Sequence, residues 1–137
     1  MMGNEWTPES YSSVVPTLRA VHADRLLDFL QAVFDAEVLH RTTDETGKVT
    51  HAEVRIGHGI IEVSEAHEMW PANESSLHVF VRNTDECYKR ALEAGAVSLY
   101  EPADMPYGER NGGIKDEFGN SWFIATFQRG EGRGYYD

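Results

Sequence analysis

The stretch YGERNGGIKDEFGNSWFIATF, residues 107–127, decides how the rest of the chain is interpreted. Its Gly112–Gly113 pair raises the question of a phosphate-binding loop, but such loops lead into a helix and end in Lys followed by Ser or Thr. Neither feature is present here. Residues 116–120, DEFGN, have the composition of a glycine-closed turn between two strands. The stretch is therefore predicted to form a β-hairpin.

The residues before this hairpin predict three more elements of the same structural unit. SSLHVFVRN, residues 75–83, alternates apolar and polar side chains, as a half-buried strand does. TDECYKRALEAG, residues 84–95, predicts a short helix with a cap at Asn83 or Thr84 and a stop at Gly95. AVSLYEP then predicts another strand. The second half of the chain therefore reads as strand, helix and three strands.

The first half of the chain repeats this order. VVPTLRAV, residues 14–21, predicts a strand, and ADRLLDFLQAVFDA, residues 23–36, has apolar side chains at helical spacing. Three extended segments follow, namely EVLHRTT, VTHAEVRIG and IIEVSEA. Placing FDAEVL over AGAVSL offsets the halves by 60 residues and aligns Leu18 with His78. The repeat predicts an α+β fold of two tandem βαβββ modules.

These elements set the expected domain organisation. A single domain is predicted over residues 14–127, with module one at about 14–66 and module two at about 75–127. Residues 1–13 are polar and predicted to be loose. The glycine-rich, charged residues 128–137 are predicted to form a flexible tail.

Composition excludes several classes of protein. The 137 residues are 41% hydrophobic and carry a formal net charge of −11, which argues against nucleic-acid binding because that requires a cationic surface. The single cysteine, Cys87, allows no internal disulfide and is expected to be a packed side chain. No signal peptide or membrane-spanning apolar run is present. The expectation is a cytoplasmic protein with no membrane partner.

Two βαβββ units in a chain of this length resemble the vicinal oxygen chelate superfamily of glyoxalases, bleomycin-resistance proteins and ring-cleaving dioxygenases. The similarity is greatest to its PhnB-like, glyoxalase-like branch. It is carried by LDFLQAVFDAEVL, THAEVRIG, SLHVFV and YGERNGGIKDEFGNSWFIAT. The resemblance implies curled mixed sheets that form a groove, and a homodimer. In enzymatic members, four side chains from the first, fourth, fifth and eighth strands hold a divalent metal in that groove.

Aligned with those four strands, this sequence keeps one metal ligand of the family. The fourth-strand position falls on Glu62, whereas the first-strand position falls on Val15 and the eighth-strand position on Phe123, which cannot bind a metal. The fifth-strand position falls on Ser76, with His78 two residues further along the same face. The resemblance therefore implies an incomplete metal site and no required cofactor. If a divalent metal does bind, Glu62 and His78 are the expected ligands.

Strand alternation separates an apolar face, predicted to contact the helices, from a face that mixes polar and aromatic side chains. The apolar face comprises Leu18, Ala20, Ala52, Val54, Ile56, Ile61, Val63, Leu77, Val79, Val81, Trp122 and Ile124. The predicted groove face comprises Thr17, Arg19, His51, Glu53, Arg55, Ile60, Glu62, Ser76, His78, Phe80, Phe123 and Ala125. Such a mixture fits a ligand groove. The alternative is that some of these strands lie at a sheet edge and face water.

Two pairs on the groove face have both a chemical and a structural interpretation. Glu62 and His78 are the candidate catalytic residues, as an acid–base pair or as two metal ligands, and otherwise they simply line the groove. His51 and Glu53 either reach the same cavity or form a cross-strand polar ladder.

Three residues outside the strand pattern are added to the groove. Tyr107 and Arg110 open the last hairpin, and Arg110 is able to bind a carboxylate or phosphate group of a ligand. The alternative is that its neighbour Glu109 forms a salt bridge. Trp70, in the loop that joins the modules, is interpreted either as a stacking lid or as part of a dimer contact.

These observations predict a protein that binds a small organic molecule in its groove, with drug sequestration as one form of that activity. The second hypothesis is a metal-dependent lyase, isomerase, dioxygenase or thiol transferase. It would use Glu62 and His78, with His51 or Glu53, as a shifted set of ligands. A third is a dimeric interaction module that binds no ligand.

Overall fold

The computed structural model describes residues 6–128 and contains two four-stranded sheets with one helix for each. The elements are β1 (Thr17–Ala20), α1 (Ala23–Phe34), β2 (Glu37–Thr43), β3 (Val49–Ile56), β4 (Gly59–Glu65), β5 (Ser76–Phe80), α2 (Thr84–Glu93), β6 (Val97–Met105), β7 (Glu109–Lys115) and β8 (Ser121–Phe127). Each half follows the order strand, helix and three strands. The predicted α+β fold of two tandem βαβββ modules is therefore confirmed.

The two sheets have the same topology. The strand order is β1-β4-β3-β2 in module one and β5-β8-β7-β6 in module two. The first strand of each module pairs in parallel with the last, and the other neighbours are antiparallel. A parallel pair needs a long crossover connection, and the helix of each module lies within that connection.

The chain divides into two compact units that follow the modules closely. Among the described residues, one unit contains 6–31 together with Asp35–Asn73, and the other contains Ala32–Phe34 together with 74–128. The last turn of α1 therefore belongs to the second unit, where the ring of Phe34 lies 4.8 Å from that of Trp122.

Burial follows the predicted alternation in part, because Ile60 and Ala125 of the predicted groove face are buried as well. The fully buried strand residues include Leu18, Ala52, Val54, Val63, Trp122 and Ile124, all from the set predicted to face the helices. In module two, α2 packs on β6, β7 and β8 and buries Cys87 and Ala91. Cys87 is therefore the packed side chain that was expected, with its thiol 3.4 Å from the carbonyl oxygen of Val33.

The register corrects one detail of the internal alignment. Thr17 pairs with Glu62, and His78 pairs with Phe123 in the equivalent strands of module two. The structural equivalent of His78 is thus Thr17. The offset between the first strands of the two modules is therefore one residue more than the sequence alignment gave. The predicted equivalent, Leu18, is completely buried on the opposite face. The alignment was wrong here because a shift of one residue along a strand exchanges its two faces.

The two helices begin with different caps. The side chain of Asn83 accepts a hydrogen bond from the Glu86 backbone N–H at 3.1 Å, which is the predicted cap of α2. Helix α1 is capped from a distance, because the backbone N–H groups of His22 and Ala23 each donate to the Glu65 carboxylate at 2.9 Å. Within residues 6–128, neither helix is long and apolar enough to cross a membrane.

Candidate functional site

Module one places two glutamates directly opposite each other on its groove face. Glu62 of β4 pairs with Glu53 of the antiparallel β3 and with Thr17 of the parallel β1. Two like charges in this position destabilise a sheet unless other groups compensate. Here the Thr17 hydroxyl donates to Glu62 at 2.8 Å, and the Tyr11 hydroxyl donates to Glu53. Tyr11 lies in the segment predicted to be loose, yet its side chain contacts the sheet.

His51 joins the two glutamates in a cluster of potential metal ligands. Its Nε2 lies 3.0 Å from Oε2 of Glu53, and single ligand atoms of His51, Glu53 and Glu62 all lie within 4.8 Å of one another. Hydrogen bonds from His51 and then from Tyr11 lower the pKa of Glu53, which favours its charged form. One imidazole and two carboxylates form a suitable ligand set for several divalent transition metals.

The residues at the four metal positions that the family resemblance implies do not form a complete set of metal ligands. Of the four positions, Val15 and Phe123 have hydrocarbon side chains, and Ser76 is an exposed hydroxyl on β5. The residue opposite Glu62 on β1 is Thr17 rather than Val15, but a threonine hydroxyl does not replace an imidazole ligand. Only Glu62 matches the family's ligand type.

An open cavity of about 450 Å³ lies at one end of the module-one sheet. It is lined by Arg19, Asp44, Lys48, Thr50, Ser64, Glu65, Ala66, His67 and Trp70. The Arg19 guanidinium lies 5.6 Å from the centre of the Trp70 ring, and its Nε donates to the Pro71 carbonyl at 3.1 Å. Trp70 therefore stacks on a cation of its own module, and Arg19 is partly engaged there rather than free for a ligand.

Module two carries a hydrogen-bonded chain of four side chains on its groove face. The Tyr100 hydroxyl donates to Asn111 Oδ1 at 2.6 Å, and Asn111 Nδ2 donates to Glu109 Oε2 at 2.5 Å. His78 Nε2 lies 3.1 Å from the same Glu109 oxygen. The Glu109 side chain is completely buried, whereas that of His78 is 39% exposed. A buried carboxylate is costly unless several donors satisfy it, and here two side chains do so.

Aromatic rings surround the exposed ends of this chain. The rings of His78 and Phe80 have centroids 5.0 Å apart, and those of Tyr100 and Phe123 are 6.5 Å apart and parallel within 15°. Burial is the main cause that raises the pKa of Tyr100, followed by the charges of Tyr107 and Glu109. A polar chain framed by half-exposed rings is the usual composition of a small-molecule site.

A glycine allows Tyr100 to lie against the sheet. Gly113 is the cross-strand partner of both Tyr100 and Phe123. A Cβ atom added at Gly113 would lie 2.5 Å from Cε2 of Tyr100, closer than real Cβ contacts allow. Gly113 of the glycine pair in the opening stretch thus makes room for an aromatic ring.

Arg110 and Arg55, which were predicted to line the groove, both form ion pairs with carboxylates of their own module. Arg110 lies on the helix-facing side of β7, where its guanidinium donates to Asp85 at 2.6 and 3.0 Å and to Asp104 at 3.2 Å. The hydrogen bonds that Asp85 accepts from Arg110 lower the pKa of the Asp85 carboxyl group. Arg55 donates to Glu37 at 3.1 Å. The alternative reading of the hairpin, a salt bridge made by Glu109, matches its contact with His78.

Sequence reasoning did not select Glu109, Asn111 or Tyr100 for the groove. Glu109 and Asn111 are two residues apart on β7 and therefore point to the same face, which was the available signal. Tyr107, which was selected, is half-buried in the turn before that strand.

Comparison with known proteins gives a family match over most of the chain. The model of the Glyoxalase/Bleomycin resistance protein/Dioxygenase superfamily matches residues 13–124. An uncharacterized protein of Mycobacterium bovis, Mb0911c, is 30% identical over 121 residues, which cover 80% of this chain and 80% of that protein. An uncharacterized protein of Mycobacterium tuberculosis, Rv0887c, is 30% identical over the same length and is covered to 71%.

Solved structures agree with this fold. TioX from Micromonospora sp. ML1 is 28% identical with a TM-score of 0.72, over 85% of this chain and 98% of that one. The PhnB protein of Bacillus cereus is 16% identical with a TM-score of 0.65, over 84% of this chain and 99% of that one. At that lower identity the likeness concerns the fold alone.

Proposed function

Because this chain belongs to the Glyoxalase/Bleomycin resistance protein/Dioxygenase superfamily, we propose that it binds a small organic molecule on its groove face. The observation that carries this proposal is the buried Glu109 beneath half-exposed His78, Phe80, Tyr100 and Phe123 in module two. A protein with no ligand to bind gains little from a buried carboxylate on a sheet face, since an apolar core of the same shape is at least as stable.

The proposed activity is binding without the family's usual metal chemistry. Three of the family's four metal positions lack a suitable ligand in this chain. Sequestration of the bound molecule is therefore the simplest activity to propose, because it requires no metal. The net charge of −11 favours a cationic or neutral molecule over an anionic one. We also expect a cytoplasmic homodimer, and light scattering of the purified protein tests the dimeric state.

The experiment is a thermal-shift screen of small organic molecules, followed by titration of the best compound into two variants. Phe80 is 49% exposed, so Phe80→Ala is expected to keep the protein folded while weakening binding about tenfold through lost aromatic contact. Leu92→Ala, at a 38% exposed apolar residue of α2, is the matched control and should bind like the unaltered protein. Equal affinity in both variants would place the ligand elsewhere.

A second candidate function, metal-dependent catalysis, is supported by the cluster of His51, Glu53 and Glu62 in module one. This cluster differs from the predicted pair of Glu62 and His78, because His78 contacts Glu109 in module two. A divalent ion held by the cluster would polarise a carbonyl group or stabilise an enolate, as a lyase, isomerase, dioxygenase or thiol transferase requires. Tyr11 and Thr17 would orient the two carboxylates.

This candidate is tested by incubating the protein with zinc, nickel, manganese or iron(II), dialysing it exhaustively and measuring retained metal. Metal-dependent function predicts near-stoichiometric retention that is lost in Glu62→Gln. His40→Ala is the matched control, because the His40 ring lies 6.1 Å from that of His51 but is not part of the cluster. Absence of retained metal in the unaltered protein would contradict this candidate and leave the binding proposal unaffected.

A further inference from the structure

The hydrogen-bonded chain of module two has a direction that is set by its buried end. An ionised carboxylate accepts hydrogen bonds and cannot donate them. Asn111, which is 2% exposed, must therefore turn its amide nitrogen toward Glu109 and its oxygen toward Tyr100. That oxygen can only accept a hydrogen bond, so the Tyr100 hydroxyl donates its hydrogen to Asn111. In each of these hydrogen bonds, the acceptor is therefore the group nearer to Glu109 along the chain of side chains.

The same reasoning fixes the other branch of the chain at His78. The Nε2 atom of His78 lies 3.1 Å from Glu109 Oε2, so it carries a hydrogen and donates to that oxygen. In the neutral imidazole, the second ring nitrogen, Nδ1, then has a lone pair and no hydrogen. Glu109 is buried and cannot contact a ligand itself. It determines which hydrogen-bonding groups His78 and Tyr100 present to a ligand.

Tyr100 consequently presents a hydrogen-bond acceptor at its exposed end, and neutral His78 presents a second one at Nδ1. His78 and Tyr100 have exposures of 39% and 37%, and the group left for a ligand at Tyr100 and at neutral His78 is a lone pair. Phe80 lies beside the first, and Phe123 lies parallel to the second. A molecule bound between them gains from an apolar ring against these side chains and from N–H or O–H groups at its edge.

We propose that the groove face of module two selects aromatic ligands by their hydrogen-bond donors and discriminates against isosteric ligands that offer acceptors alone. This inference rests on the proposed binding function and adds the chemical class of the ligand. The physical reason is that an acceptor placed against the oxygen of Tyr100 or Nδ1 of His78 loses its hydrogen bond to water and gains none.

Indole and benzofuran form a suitable pair of probes, because they have nearly the same shape and differ in one ring N–H against one ring oxygen. Each is titrated into isotopically labelled protein, and affinities are obtained from chemical-shift changes of module-two resonances. Indole is expected to bind at least about tenfold more tightly, the size of one hydrogen bond left unmade.

Two variants separate this inference from its alternatives. Tyr100→Phe removes one acceptor and is expected to reduce the preference for indole, whatever its effect on stability, because the ratio of two affinities is measured in the same variant. Tyr88→Phe is the matched control, since the Tyr88 hydroxyl bonds to Ser98 at 2.6 Å outside this chain, and it should keep the full preference.

The outcomes distinguish the inference from the function on which it rests. Equal binding of the two probes to module two, or a preference unchanged in Tyr100→Phe, would overturn donor selection while leaving small-molecule binding intact. Failure of both probes and of all other screened compounds to perturb module two would overturn both.

Discussion

Gly113 shows how one residue shapes the groove face, because its missing side chain makes room for the Tyr100 ring. Gly113→Ala is expected to lower the free energy of unfolding by about 1–3 kcal/mol through overpacking. Urea denaturation measures this. Gly59→Ala is the control, since its added Cβ would meet only the Ile56 carbonyl oxygen, at 3.7 Å, and its effect should stay within about 0.5 kcal/mol. Equal losses in the two variants would show that the contact with Tyr100 is unimportant.

Single residues of the site were only partly predictable from the sequence. His78, Glu62, His51 and Glu53 were identified because polar side chains alternate with apolar ones along their strands. The role of Glu109 was missed because its partner His78 is 31 residues away in the sequence, and only the pairing of β7 and β5 with β8 brings the two together.

At the scale of elements, the pair of Arg110 and Asp85 joins β7 to the first turn of α2. The hydrogen bond from Arg110 lowers the pKa of Asp85 below its ordinary 3.8, so the unfolded chain binds this proton more readily than the folded one. The pair therefore stabilises the fold at neutral pH, and this contribution is lost as the pH falls through the lowered pKa.

Asp85→Asn tests this contribution. The side chains are 54% and 35% exposed, so solvent screening limits the expected loss at pH 7 to about 0.5–1 kcal/mol. Urea denaturation of both proteins at pH 7 and well below pH 3.8 should show the difference shrinking in acid. A difference that stays constant or grows as the pH falls would contradict the assignment.

The elements themselves were largely predictable, because helical spacing and strand alternation are local properties. The cap of α1 was not, because Glu65 comes from β4, 42 residues after the Ala23 backbone group that it binds. The first strand shows the same limit, since its alignment with β5 was wrong by one residue until the pairing of Thr17 with Glu62 was known.

At the scale of the whole molecule, two modules of one topology have acquired different groove chemistry. Glu62 of module one occupies the position that Phe123 occupies in module two. In the same way, Glu53 of module one corresponds to Gly113 of module two. Module one thus gathers carboxylates and an imidazole, and module two gathers aromatic rings over one buried carboxylate. The repeat in the sequence predicted the common fold, but the difference depends on which residues share a row across each sheet.

The measurement that tests the central claim most directly is chemical-shift mapping of the tightest compound from the screen. Binding on the groove face predicts that the largest changes fall on His78, Phe80, Tyr100 and Phe123 and are weakened in Phe80→Ala. Changes confined to other surfaces, or none at saturating ligand, would contradict the claim that this face is the binding site.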